Sequence, residues 1–204
     1  MIMNPKLIIE QKITAFANKY VVYTVGTNGE KDQLIALAQQ KRLAFKEKVT
    51  FYSDESKTAE VFSFRAEKVM DIHGRYFVED TKGNKIGAFK KEFAKSLLNS
   101  TWNILDNDDQ PMFTIRESNQ TLAALRRFAG FIPIVGEFVD IAMAFFRYHF
   151  VFIDPKTGDI VGKYEKTTLF RDYYRLSMQD EKYDTQDWRV FAAMAVALDA
   201  LQSR

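Results

Sequence analysis

Cysteine is missing from the chain, and histidine occurs only twice in 204 residues. The first absence excludes a disulfide framework, a thiolate zinc site, a thiol nucleophile and an attached palmitate. It also fits a reducing compartment, so a cytoplasmic location is expected. The second leaves only His73 and His149, far apart in sequence, with no recognisable metal or nucleophile constellation. Proline, at 4, and glycine, at 9, are scarce. No linker rich in Pro, Gly or Ser divides the chain, and a single domain over 1–204 is expected. Charge of one sign is lacking too: 29 Lys and Arg against 27 Asp and Glu leave a net +2. The two signs are interspersed, which removes the basic stripe of a phosphate-backbone binder and with it a nucleic-acid partner. Long apolar runs are absent as well, since 128–136 and 190–198 are uncharged for nine residues each and a membrane span needs about 20. With no basic n-region leading into an apolar stretch at the N-terminus, no export signal is expected, and the chain is read as soluble or peripheral to the inner membrane.

What is present is a recurring strand pattern. Short runs rich in Val, Ile, Tyr, Phe and Thr alternate with turn residues, the signature of an antiparallel, mainly β domain. Strands are expected at 20–25, 48–53, 59–66, 75–79, 85–89, 101–106, 112–117, 149–154, 160–164 and 173–178. Between them stand Asn28-Gly29, Asp54-Glu55-Ser56, Asp80 to Gly83, Asn107 to Asp109 and Asp154 to Gly158, all sound turn chemistry. A shorter amphipathic helix is expected over Lys31 to Arg42, with Leu34, Ile35, Leu37 and Ala38 on one face.

Part of the pattern repeats at an offset of 75 residues: Phe77-Val78-Glu79, Gly83, Ile86-Gly87 and Lys91 align with Phe152-Ile153-Asp154, Gly158, Val161-Gly162 and Lys166. Each copy reads as a hairpin. Gly83 and Gly158 supply the positive φ of a turn, while Gly87 and Gly162, inside strands, mark a bulge or a close approach. Ser96-Leu97-Leu98 with Trp102-Asn103-Ile104 likewise resembles Thr168-Leu169-Phe170 with Tyr174-Arg175-Leu176 at an offset of 72. Two repeat-related halves that close on each other are expected.

The C-terminus departs from this pattern. Over about 185–201, with Asp184 as the cap, a helix is expected in which only Arg189 and Asp199 are charged after Trp188. A helix apolar all round must be surrounded by protein or lipid. At 1.5 Å per residue its length is about 25 Å, which suits a small barrel and not a bilayer. It is therefore expected to thread a closed barrel, with Phe191, Met194 and Leu198 as bulk, alanines keeping it slim, and both charges near the ends in water. Trp102 and Trp188 are expected in the core. Between the halves, about 118–147 reads as a helical insertion. Ser118 caps a helix from Gln120 to Ala129, Phe131 to Gly136 connects, and Phe138, Ile141, Ala142, Phe145 and Phe146 follow helical spacing.

These residues resemble the tubby C-terminal-like superfamily, in its bacterial branch similar to LURP-one-related and phospholipid-scramblase-like proteins. The resemblance rests on Phe77-x-x-Asp80-x-x-Gly83-x-x-x-Gly87-x-Phe89-Lys90-Lys91 and on Ser96-Leu97-Leu98-x-x-Thr101-Trp102-x-Ile104. It extends through Glu117-Ser118-Asn119 to Ile132-Pro133-Ile134-Val135-Gly136 and the Ala-rich terminal helix. It implies a barrel of about twelve strands around a central hydrophobic helix. Tubby proteins bind phosphoinositides through basic surface side chains, but no motif carries those residues over to positions here. Scramblase-like members depend on a palmitoylated cysteine-rich stretch, which a cysteine-free sequence lacks.

No nucleophile elbow, phosphate-cradling loop or dinucleotide fingerprint is present. The run Asp106 to Asp109 lacks the glycine and terminal glutamate of a calcium loop and reads as a turn. No metal and no cofactor are expected. Lys90, Lys91 and Lys95, with Arg126 and Arg127 beside the apolar Phe131 and Ile132, are the candidate contacts for anionic phospholipid. The sequence therefore predicts a non-catalytic binding or scaffold domain. The alternatives are a protein-protein adaptor using the Phe-rich hairpin and a hydrolase using carboxylates or His73.

Overall fold

The computed structural model describes residues 2–13, 17–41, 48–67, 74–92, 101–106, 108–117, 149–167 and 172–202. Twelve strands follow in order: β1 (Asn4–Ile13), β2 (Ala17–Val25), β3 (Lys31–Lys41), β4 (Val49–Tyr52), β5 (Glu60–Ala66) and β6 (Arg75–Asp80), then β7 (Lys85–Lys91), β8 (Thr101–Leu105), β9 (Pro111–Glu117), β10 (His149–Ile153), β11 (Ile160–Lys166) and β12 (Asp172–Met178). Two helices follow, α1 (Asp180–Tyr183) and α2 (Trp188–Gln202). Each strand pairs antiparallel with its sequence neighbours and β1 pairs with β12, so the sheet closes into an up-and-down barrel with no free edge.

The period of two along each strand builds the interior. Leu7 and Ile9, Tyr20 and Val22, Ala36 and Ala38, Phe62 and Phe64, Trp102 and Ile104, Phe113 and Ile115, and Phe150 and Phe152 all enter one core cluster with α2. From Val190 to Leu198 no residue of α2 is more than 3% exposed. Phe191 stacks on Tyr183 at 5.1 Å between ring centres and lies 5.8 Å from Phe113, while Phe62 meets Trp188 edge-on at 5.7 Å. The helix threads the barrel, as its missing polar face predicts.

Three expectations need correction. Lys31 to Arg42 is not a helix, because β3 pairs with β2 from Ala17 opposite Lys41 to Val25 opposite Lys31. Apolar residues at 34, 35, 37 and 38 fit either period over so short a run, and pairing with β2 decides. The helix cap is Asp187, whose carboxylate accepts the Arg189 N–H at 2.9 Å, whereas Asp184 ends α1. Asp199 does not meet water, being only 5% exposed. In addition, β1 had no counterpart among the expected strands. The expected insertion at 118–147 lies outside the described residues.

Five turns at one end of the barrel share a design. In the turns after β2, β4, β6 and β8 the fourth residue's N–H returns to the first residue's carbonyl: Gly29 to Gly26, Lys57 to Asp54, Gly83 to Asp80 and Asp109 to Asp106. The turn after β10 is one residue longer, with Gly158 returning to Asp154. In all five the returning residue is left-handed, at φ 79° for Gly29, 55° for Lys57, 83° for Gly83, 63° for Asp109 and 79° for Gly158. In the last four an aspartate opens the turn and its carboxylate accepts a backbone N–H two residues on. The extra residue also resets the repeat. Val78 pairs with Gly87 and Phe152 with Gly162, so the first strands of the two hairpins are related by 74 residues and the second strands by 75.

Candidate functional site

Because α2 fills the barrel, the described interior offers the wall and the two ends as places for chemistry. On the wall formed by β5 to β9, four basic side chains lie beside carboxylates. Arg65 Nη2 donates to Glu79 at 2.8 Å, Arg75 bonds Asp109 with Glu67 at 4.0 Å, Lys85 lies 3.7 Å from Asp109, and Lys90 lies 3.7 Å from Glu92. Phe77 lies beneath Arg75 and Lys85, at 4.9 and 5.2 Å from its ring centre. Alternation along β7 sends the two adjacent lysines apart. Lys90 is on the outer wall opposite Arg75, whereas Lys91 Nζ sits 5.6 Å over the ring of the fully buried Trp102. Lys95, Arg126, Arg127, Phe131 and Ile132 lie outside the described residues, and so does His73.

At the turn end, Lys182 on α1 donates to Asp154 at 2.6 Å. That bond holds the Asp154 carboxyl below its ordinary range and raises the lysine. A groove of about 530 Å³ on one side is lined by Thr157, Asp159, Ile160, Gln179 and Glu181, and a smaller one of about 210 Å³ on the other by Gln110, Met112, Pro155 and Thr185. Ile160, 47% exposed, is an apolar side chain in an otherwise polar rim. Among the described residues, no group of three or more His, Asp or Glu side chains is placed to hold a metal ion.

The opposite end holds the site that sequence reasoning missed. Both oxygens of Asp199 on α2 accept tyrosine hydroxyls, Tyr20 from β2 at 2.8 Å and Tyr174 from β12 at 2.9 Å. Gln11 reaches the Tyr20 hydroxyl at 3.2 Å, and Tyr174 stacks on Tyr164 with ring centres 5.2 Å apart. Burial first, and then the Asp199 charge, push the Tyr20 hydroxyl far above its ordinary value. At the end of β9, on the side of the barrel away from the five turns, Glu117 is half-buried and its carboxyl is raised by loss of solvent. The available signal was the lone acid in an apolar helix, because an isolated aspartate inside a greasy segment is kept only when it is paired.

The structural glycines divide by cause. An added Cβ at Gly83 or Gly158 would meet nothing within 4 Å, so these positions need glycine for φ alone. At Gly87 it would lie 2.5 Å from Val190 of α2, and at Gly162 3.1 Å from the Ser177 carbonyl.

The family model described as LURP-one-related matches residues 35–199. A crystal structure of a protein from Arabidopsis thaliana is similar at 10% identity and a TM-score of 0.36, over 98% of this chain and 94% of that one. No curated protein matches. Among the described residues, no helix is long and apolar enough to cross a membrane.

Proposed function

Since the chain belongs to the LURP-one-related family, within the tubby-like superfamily, we propose that it is a non-catalytic binding domain that engages anionic phospholipid at a membrane surface. The observation that carries a binding role at the exterior is the filled interior: α2 is buried from Val190 to Asp199, so a ligand must be met on the wall or at an end. The lipid contact runs through the segment joining β9 to β10, where Arg126 and Arg127 precede the apolar Phe131 and Ile132. Charge attracts the headgroups and the apolar side chains enter the interface. Lys95 contributes from the β7–β8 connection, and Lys90, beside Glu92, and Lys91, over the Trp102 ring, contribute less. Peripheral binding at the inner membrane face follows from this reading.

Sedimentation with phosphatidylserine vesicles across a salt series tests it. The domain should pellet at low salt, be released as screening rises, and lose binding when Arg126 and Arg127 are both changed to Glu. Failure to pellet even at low ionic strength removes the lipid reading and leaves the protein-protein adaptor, whose own mark is a dimer or captured partner abolished by Phe131→Asp without unfolding.

A further inference from the structure

The outer wall where β1, β2 and β12 meet carries a cluster that the lipid reading does not use. Glu10 lies directly across from Tyr173 in one ladder and from Val21 in the other, and Tyr23 shares their outer face two residues beyond Val21. Ile8, fully buried and paired with both Tyr23 and Arg175, forms the floor. Glu10 is only 8% exposed, and the Tyr23 hydroxyl points to it at 3.4 Å. Both tyrosine hydroxyls are raised above their ordinary value, first by burial; for Tyr23 the Glu10 charge follows, and for Tyr173 Glu30 and then Glu10.

Lys31 sits in this cluster as a ligand would. Its Nζ is 5.0 Å from the Tyr23 ring centre, 5.9 Å from that of Tyr173 and 3.5 Å from Glu10. Lys12 is the second cation in reach of Glu10, at 3.8 Å. Lys31 arrives on the β2–β3 tip, which Arg175 tethers by donating to the Gly29 carbonyl at 3.1 Å. The Nε of the same guanidinium is buried and finds no hydrogen-bond partner. The Lys31 side chain remains 46% exposed, so an ion pair of this kind holds it weakly.

We propose that Glu10, Tyr23 and Tyr173 form a cage for a quaternary ammonium group of the choline type, in which Lys31 is a tethered substitute. Two aromatic faces and a little-exposed carboxylate supply what such a cation needs, which is negative potential close to its charge. A primary ammonium is strongly hydrated and gives up more on leaving water, so the quaternary group gains more from the same walls. The cluster belongs to β1, β2, β3 and β12, and its test is independent of anionic lipid.

Titration of Lys31→Ala with tetramethylammonium, followed by tyrosine resonances, should show saturable binding about tenfold tighter than in the unmodified protein, because a tethered competitor has been removed. Glu10→Gln or Tyr173→Ala added to that variant should abolish it. Choline and phosphatidylcholine vesicles, as separate arms, distinguish a free metabolite from a lipid headgroup. A folded Lys31→Ala protein that binds no tetramethylammonium overturns the proposal. Should that variant fail to fold, reductive methylation of the unmodified protein decides. The Lys31 dimethyl carbon signal should be shifted upfield by the two rings and return to its ordinary position as tetramethylammonium is added, and a signal unmoved by either overturns the cage.

Discussion

At the turn end of the barrel carboxylates face lysine, arginine and backbone N–H groups and are held below their ordinary range, whereas at the other end one carboxylate is buried between two tyrosines and another is raised by burial. Asp154 is lowered by Lys182, Asp180 by Lys6 and Asp80 by Asn84. At Asp187 burial pulls upward, but the hydrogen bonds and charge of Arg189 outweigh it. Opposite them stand Asp199, with both oxygens engaged by hydroxyls, and Glu117. The difference follows from what the ends must do. The turn end closes hairpins in contact with water, where exposed pairs and turn caps suffice. The other end must fix the depth and rotation of a greasy helix, whose apolar contacts alone tolerate sliding. A single polar anchor bonded to strands β2 and β12 sets its register, the use best attested for buried polar groups.

The largest expected effect breaks the anchor. Asp199→Ala leaves two buried tyrosine hydroxyls without their acceptor and should cost about 3 kcal/mol, measured by urea unfolding. Asp199→Asn retains an acceptor oxygen and should cost less. Lys182→Ala at the turn end removes a solvent-facing pair and should cost least of the three, and equal losses at both ends would dissolve the contrast.

Next comes steric fit between helix and wall. Gly87→Ala puts a methyl 2.5 Å from Val190, in a core with no room to yield, and should destabilise by about 2 kcal/mol. Val190→Ala in the same chain should recover part of the loss, which identifies the helix as the obstacle. Gly162→Ala meets a flexible Met178 side chain at 3.0 Å and the Ser177 carbonyl at 3.1 Å, and should cost less. The two glycines align in sequence, yet only Gly87 touches α2.

Acid sharpens the comparison through signs. A carboxyl whose folded value is depressed contributes stability above its unfolded value, and loses it as pH falls through the folded one. Asp80, Asp154, Asp180 and Asp187 all behave this way, so amide exchange near the turns should accelerate below about pH 4. Glu117 has the opposite sign. Its raised carboxyl opposes folding when ionised, so protonation relieves strain at the end of β9 at pH above the ordinary glutamate value, before the aspartates begin to lose their contribution. Uniform acceleration at both ends would contradict this.

The architecture was legible because two of its signals cannot mean much else. Nine uncharged residues from Val190 to Leu198 demand enclosure, and strands separated by turn residues enclose. The barrel and the inward places of Trp102, Phe191, Met194 and Leu198 follow from that, whereas the strand pattern alone marked ten strands and the count of about twelve came from the family resemblance. The failures have physical causes as well. Over Lys31 to Lys41 the apolar positions fit two periods, and only pairing with β2 resolves them. Asp199 was placed in water because a charge near a helix end usually is, and the hydroxyl donors that satisfy it lie 179 and 25 residues away. The cluster of Glu10, Tyr23, Lys31 and Tyr173 draws on four strands, and no local pattern announces it.

The smallest expected effect concerns the turns themselves. Three of the five left-handed positions are filled by glycine, and the other two by Lys57 and Asp109. A non-glycine residue there pays about 1 kcal/mol in Cβ crowding, and glycine returns part of that gain through the freedom of the unfolded chain. Lys57→Gly should therefore stabilise by about 0.5 kcal/mol, since the lysine's exposed bond to Gln39 offsets little. Asp109→Gly gives up its contacts with Arg75 and Lys85 and should gain less or nothing. If thermal unfolding ranks the two variants the other way, backbone strain does not govern this end, and the Arg75 to Asp109 pair contributes more than its exposure implies.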